Sequence, residues 1–316
     1  MSERKKSKNA IKVTNNTIID TLILGAGPIG LYCGQSCLKN NIKFLIFEKK
    51  ENIGGQISAL YPLKNVYDYP FKKNVIAQEI IEELKKGIEN SILLNVQIIN
   101  IVKKQNLFHV KYFFNNNDYK NKKEQNVICK NVINCTGIGE ISFRKIDFPI
   151  DNINNVLYSV NDPQIFKDKK VIVLGGGDSA SDWTNQLSSI AKQISLVYRK
   201  SVLRNNKELV ENVRKYLNFN VLKAQNNILY IKENDSKQEK ELNYDFLLVL
   251  YGLEIDENNI SLFIKIRTKE NKIIVNKNQQ TNLKNFYAAG DCCWGKKEYK
   301  IASGFLEIDK IIEQIK

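Results

Sequence analysis

Two glycine loops, each at the end of an aliphatic run, constrain this chain more than any other feature. The first sits in "DTLILGAGPIGLYCGQ", Asp20 to Gln35, and the second in "VIVLGGGDSASDW", Val171 to Trp183. In both, a strand-like run leads through glycines into a helix start. Such a loop lets a backbone turn tightly, approach a pyrophosphate and present helix N–H groups to an anion. A chain of 316 residues with two such loops about 150 residues apart has room for two nucleotide-binding domains of ordinary size.

The pattern between the loops supports that reading. A strand at Ile18–Leu24 leads into a helix at about Pro28–Lys39, and "IKFLIFE" forms the next strand, ending at Glu48. A helix is expected at about Val75–Ile88, then strands around "NLFHVKYFF" and "NVICKNVINC". The alternation restarts at Lys170 with a strand, the second loop, a helix to about Ile190 and the strand "QISLVYR". Alternation of strand and helix implies parallel sheets with helices on both faces. The expected class is α/β, with two Rossmann-like three-layer domains. The second is inserted into a split first domain: residues 18–143 and 253–316 form one, residues 144–252 the other, and residues 1–17 a basic flexible tail.

The loops differ in the residues beyond them. Gly25, Gly27 and Gly30 complete G-x-G-x-x-G, Pro28 opens the helix, and Glu48 ends the next strand 18 residues after Gly30. An acid at that point accepts hydrogen bonds from a ribose diol. The second loop reads Gly175-x-Gly177-Asp178-Ser179-Ala180, and its next strand ends without an acid, in Arg199, Lys200 and Arg204. A basic cluster pairs with a 2′-phosphate, so this loop should select NADP(H). The first then takes FAD. "YAAGD" at Tyr287–Asp291 adds a strand ending in Gly290 and Asp291, placed to meet the flavin's ribityl chain, and a last helix near Ala302–Gly304 would turn its N-terminus toward the flavin ring.

Composition narrows the class. No apolar run reaches the length of a membrane span, and the start "MSERKKSKNAIKVTNN" has no apolar core of a secretory signal. Six cysteines, Cys33, Cys37, Cys129, Cys135, Cys292 and Cys293, form no CxxC, so a zinc ribbon or thioredoxin-type pair is not expected and all read as free thiols. No metal site is expected. Unpatterned thiols point to the cytoplasm. The net charge of +14 rests on many lysines and few arginines. With abundant asparagine, this fits a coding bias, and the lysines form no stripe of the kind that binds nucleic acid. The charge still offers an acidic protein an attractive surface. His109, the one histidine, is expected as a packed or surface residue, since hydride transfer needs no such base.

From about Ile18 onward the chain resembles the thioredoxin-reductase-like flavoproteins. Within them, "GGQISALYPLKNVYDYP" at Gly54 to Pro70, "GGGDSASDW" and "IASGF" resemble the ferredoxin–NADP⁺ reductases of that type. Thioredoxin reductases place a CxxC in the NADPH domain, and glutathione-reductase relatives a dithiol after the "GG". Neither is present, and no cysteine lies between Thr136 and Gly252. The resemblance implies a homodimer with non-covalent FAD, with NADPH as hydride donor and ferredoxin or flavodoxin as acceptor. By the same resemblance Glu48 holds the adenosine ribose, Gly55, Gln56 and Asp291 meet the cofactor, Tyr61 stacks on the flavin, and Ile98 and Ile141 are further contacts. The family's segment beyond the last helix has no counterpart here, so one flavin face is expected bare. Two other readings fit: a dithiol-free NADPH oxidase or diaphorase, and a flavin-binding regulatory protein without turnover.

Overall fold

The computed structural model describes residues 17–60, 63, 65–115, 123–204, 208–256, 263–296 and 300–316. They fall into two compact units. One runs to Glu140 and resumes at Asp256–Lys316, and the other is Ile141–Ile255. The basic tail expected at 1–17 lies outside the described residues except for Thr17.

The first unit begins with β1 (Thr17–Leu24), α1 (Pro28–Lys39), β2 (Phe44–Phe47) and α2 (Gly55–Leu60). A short hairpin of β3 (Asn65–Val66) and β4 (Val75–Ile76) leads to α3 (Ala77–Lys85). Then come β5 (Ile92–Leu93), β6 (Val96–Lys104), β7 (Leu107–Phe114) and β8 (Gln125–Asn134). β1 lies parallel between β2 and β8, with β5 beyond β2. All four residues of β2 are buried, as are the last four of β1, because both sheet faces are covered. One face, through Ile23, Ile46 and Ile133, packs on α1, α3 and the last helix; the other, through Leu22, Leu24 and Val132, packs toward β6 and β7.

The chain crosses over through β9 (Glu140–Phe143). The second unit contains β10 (Val156–Leu157), β11 (Lys170–Leu174), α4 (Asp178–Leu187), β12 (Gln193–Tyr198) and β13 (Arg214–Leu217). An antiparallel sheet of β14 (Phe219–Gln225), β15 (Ile228–Glu233) and β16 (Glu239–Asn243) comes next, then β17 (Phe246–Val249). The parallel sheet runs β10-β17-β11-β12-β13. The chain returns through β18 (Leu253–Asp256), which pairs with β9.

Back in the first unit, β19 (Thr268–Lys269) and β20 (Lys272–Ile273) form a hairpin, and β21 (Phe286–Ala288) and α5 (Ile301–Ile315) close the chain. β8 is the anchor of this return. Its first half, Gln125–Cys129, pairs antiparallel with β7, and its last three residues pair parallel with β21. The carboxyl ends of β1, β2, β8 and β21 therefore share one edge, where an open α/β sheet binds its ligand.

Candidate functional site

The first glycine loop joins β1 to α1 under tight steric control. Gly25 has φ +95°, and a Cβ there would lie 2.7 Å from the Cys135 carbonyl oxygen. A Cβ on Gly30 would lie 1.9 Å from the Gly25 carbonyl, so α1 sits against its own loop as only glycine permits. Gly27 caps α1 without a side-chain bond and Pro28 takes the first helical position, where its missing N–H costs nothing. The nearest atom to a Cβ on Gly27 is the Gly55 Cα at 3.8 Å, so α2 begins directly against the loop.

Glu48 comes directly after β2 and faces this loop. Its Oε2 accepts from the Ala26 N–H at 2.8 Å and its Oε1 from the Lys50 N–H at 2.9 Å. Each oxygen keeps a second lone-pair direction, which suits a pair of vicinal hydroxyls. Beside it opens a cavity of about 160 Å³, lined among others by Gly25, Phe47, Glu48, Ile98, Thr136 and Phe263. Apolar walls and one fixed carboxylate fit an adenosine. The structure thus brings Gly25, Glu48 and Ile98 together. Phe263, from the second stretch of this unit, was not foreseen, since it precedes every motif there.

A second cluster lies at the end of β21. Gln56 Nε2 donates to Asp291 Oδ2 at 3.4 Å. Gly290 has φ +84°, and its N–H donates to Glu307 Oε2 at 2.8 Å. The same oxygen meets the Lys296 Nζ at 2.7 Å, and both side chains are largely buried. Burial pushes the Asp291 carboxyl above the usual range, while Lys296, Gln56 and Lys272 pull it back and Glu307 adds to the rise. Neither Lys296 nor Glu307 belongs to a nucleotide motif, and no signal in the sequence singles out either.

The N-terminus of α5 is partly occupied. Asp68 Oδ2 accepts from the Ile301 N–H at 2.6 Å, so the expected free helix end has its first donor satisfied by this chain. Ala302 sits in that first turn, half-buried. Gly55 opens α2 with φ +57°. Tyr61 lies outside the described residues, as does the side chain of Ile141, whose backbone is in β9. His109 is half-buried in β7 and pairs with Val102 and Ile128, away from these groups. All six cysteines are buried free thiols.

The second unit repeats the loop with other constraints. Gly175 has φ +147°, and a Cβ there would meet the Leu250 carbonyl at 2.4 Å. Gly176 faces the Tyr198 ring, 2.4 Å from where a Cβ would stand. Gly177 caps α4 and meets nothing within 4 Å, leaving open approach to the first turn, which holds Asp178, Ser179 and buried Ala180. Arg199 and Lys200 are exposed after β12. The backbone N–H of Arg204, also exposed, donates to the Gly176 carbonyl at 2.9 Å, which ties that segment to the glycine loop itself. Burial raises the Tyr251 phenol to about 12, with Asp147 adding and Arg199 opposing. Among the described residues there is no cluster that could hold a metal ion, and no helix is long and apolar enough to cross a membrane.

Known proteins resemble this chain along most of its length. The family model described as pyridine nucleotide-disulphide oxidoreductase matches residues 19–314. A protein named ferredoxin–NADP reductase from Malacoplasma penetrans is 31% identical, over 87% of this chain and 88% of its own. Ferredoxin–NADP reductase 2 of Bacillus subtilis is 32% identical, over 95% and 92%. Among solved structures, thioredoxin reductase from T. acidophilum superposes with a TM-score of 0.66 at 20% identity, covering 95% of this chain and 98% of that one. That from Lactococcus lactis gives 0.64 at 18%, covering 94% and 97%. These structures share the two-domain Rossmann-type fold. With the family match spanning nearly all of its length, the chain belongs to the pyridine nucleotide-disulphide oxidoreductase family.

Proposed function

We propose that this chain is an NADPH-dependent flavoprotein reductase that holds FAD in its first unit, admits NADPH to its second and delivers electrons to ferredoxin or flavodoxin. The observation that carries the reading is the opposite chemistry at the two strand ends. Glu48 offers a carboxylate beside the first glycine loop, and Arg199 and Lys200 offer cations beyond the second. A carboxylate repels a 2′-phosphate and binds a free diol, while a guanidinium does the reverse.

The residues support specific roles. Gly25, Gly27 and Gly30 bring loop N–H groups to a pyrophosphate, Glu48 holds the adenosine ribose, and Ile98 with Phe47 walls the base. Gln56, Gly290 and Asp291 orient the rest of the cofactor, with Gly55, Tyr61, Ile141 and Ala302 as further contacts. When bound, FAD supplies the hydride acceptance and the single-electron release that side chains cannot. In the second unit Gly175, Gly177, Asp178, Ser179 and Ala180 form the pyrophosphate turn, and Arg199, Lys200 and Arg204 select the phosphorylated nucleotide. Residues 18–143 with 253–316 are the FAD domain and 144–252 the NADP domain.

Ferredoxin as acceptor rests on the relatives' names. Flavodoxin shares its acidic character, and the chain's charge of +14 favours either. A homodimer is supported by the apolar side chains left exposed near α5, Leu306, Phe71 and Tyr67. Free buried thiols fit a cytoplasmic protein.

The test is anaerobic. NADPH should bleach the yellow protein, and added ferredoxin or flavodoxin should restore the colour while becoming reduced. Salt screens docking charges over about 8–10 Å at 0.1–0.15 M, so this second step should slow with added salt. Bleaching with no reoxidation by either carrier contradicts the reading.

A further inference from the structure

The Lys296–Glu307 pair lies outside the nucleotide motifs but bonds directly to the cofactor turn through Gly290. Glu307 stands in the second turn of α5, and Lys296 in the segment between β21 and that helix. One oxygen, Oε2, accepts from both the Gly290 N–H and the Lys296 Nζ. Burial of a charge is costly unless it is paired and hydrogen-bonded, so a largely buried pair at this point needs a reason beyond stability.

The neighbours supply one. Gly290 precedes Asp291, whose carboxylate also feels Lys296. Gly290 adopts a left-handed φ and lies beside Ile29 of α1, whose side chain would stand 3.3 Å from a Cβ added there. Gly304, one turn before Glu307, is packed still closer to Ile29. The turn thus packs beside Ile29 and is bonded to Glu307. Without Glu307, the largely buried ammonium of Lys296 would need another anion, and the Asp291 carboxylate follows directly on the Gly290 peptide that shares its present acceptor. Asp291 would then leave Gln56 and the cofactor.

We propose that Glu307 is a positioning residue for the flavin: it fixes the Gly290 peptide and engages Lys296, so that the Asp291 carboxylate stays available to the cofactor. The inference rests on the FAD reading of the first unit. It predicts an asymmetry that a merely stabilising ion pair would not give. Glu307→Gln keeps an oxygen for the Gly290 N–H but releases Lys296, whereas Lys296→Met removes the competitor and leaves Glu307 on Gly290.

The experiment dilutes the purified, FAD-loaded full chain and monitors flavin fluorescence to obtain the FAD dissociation constant, with the melting temperature of each variant beside it. E307Q should release FAD about tenfold more readily than the parent, and K296M in the E307Q background should recover most of that loss. Equal retention by E307Q and parent, or no recovery in the double variant, overturns the proposal. Should E307Q not accumulate folded, the comparison moves to K296M against K296M/E307A. The second lacks the Gly290 acceptor and should bind FAD about tenfold less tightly, and equal constants overturn the proposal there too. A parent chain that carries no FAD overturns the site reading itself, while a parent that carries it beside an unaffected E307Q overturns the positioning role alone.

Discussion

The two glycine loops start from the same device, equally crowded at Gly25 and Gly175, and differ at their second and third motif positions. In the first, α1 lies so close that Gly30 admits no Cβ, α2 begins against Gly27, and Glu48 is tied to the loop by the Ala26 N–H. In the second, Ala180 fills the place that Gly30 holds, Gly177 faces open space, and the cations beyond it are exposed. A loop enclosed by its own unit suits a resident cofactor, which stays through many turnovers. An open loop suits a nucleotide that enters and leaves each time. This packing predicts slower ligand exchange at the first loop than at the second.

The largest effect should come from the third loop position. Gly30→Ala places a methyl against the Gly25 carbonyl and should cost about 3 kcal/mol or more, with FAD lost from the purified protein. Ala180→Gly, the reverse change in the second loop, should cost only about 1 kcal/mol as a glycine in a helix. Thermal melts and flavin content decide it, and similar losses for the two would erase the contrast.

Next in size is the acid. Glu48→Ala frees the Ala26 and Lys50 N–H groups and removes the charged acceptor proposed for the ribose diol, whose loss at about 1.5–3 kcal/mol is roughly tenfold to a hundredfold in FAD affinity. Fluorescence of released flavin measures this. The NADPH KM of the protein that retains flavin should not move. In the second unit, Arg199→Ala should lower kcat/KM for NADPH by roughly tenfold, less than a buried charge would cost because the site is exposed, and leave NADH unchanged.

Much of this was legible in the residues. Gly25 to Gly30 with Glu48, and Gly175 to Ala180 with Arg199 and Lys200, are local signals, since each motif spans one turn or one strand. β1 and α1 start and stop within a residue of where aliphatic runs and glycines place them. Helix α4 stops at Leu187, three residues before the expected end: the Ser188 and Ser189 hydroxyls donate back to the carbonyls of Asn185 and Gln186, and the Ile190 N–H bonds Leu187 in a tighter turn. What the sequence hid is long-range. Phe263 reaches the adenosine cavity from a stretch with no motif, Asp68 caps α5 from 233 residues away, and Glu307 reads as one more acid on an amphipathic helix. The bond from the Arg204 backbone N–H to the Gly176 carbonyl, which holds the basic segment beside its loop, is likewise visible only in the fold.

The smallest effect sharpens the first site from its pH dependence. Burial makes the folded protein hold the Asp291 proton more tightly than the open chain does. The folded state therefore binds more protons between the two pKa values, and this carboxyl's contribution to stability falls as pH rises through that window. Asp291→Asn should remove the fall and raise the melting temperature of flavin-free protein at neutral pH by roughly 1–2 °C, while flavin retention weakens. A flavin-free variant that melts below its parent at neutral pH would show that the carboxylate stabilises the fold rather than serving the cofactor.

The central claim is that electrons pass from NADPH to FAD and out with no thiol between. All six cysteines lie buried in the first unit, and the second contains none. Counting electrons tests this directly. In an anaerobic titration with dithionite, the account predicts that full bleaching takes one two-electron equivalent per bound FAD. An uptake of two such equivalents per FAD would reveal a reducible disulfide working with the flavin and would contradict the account.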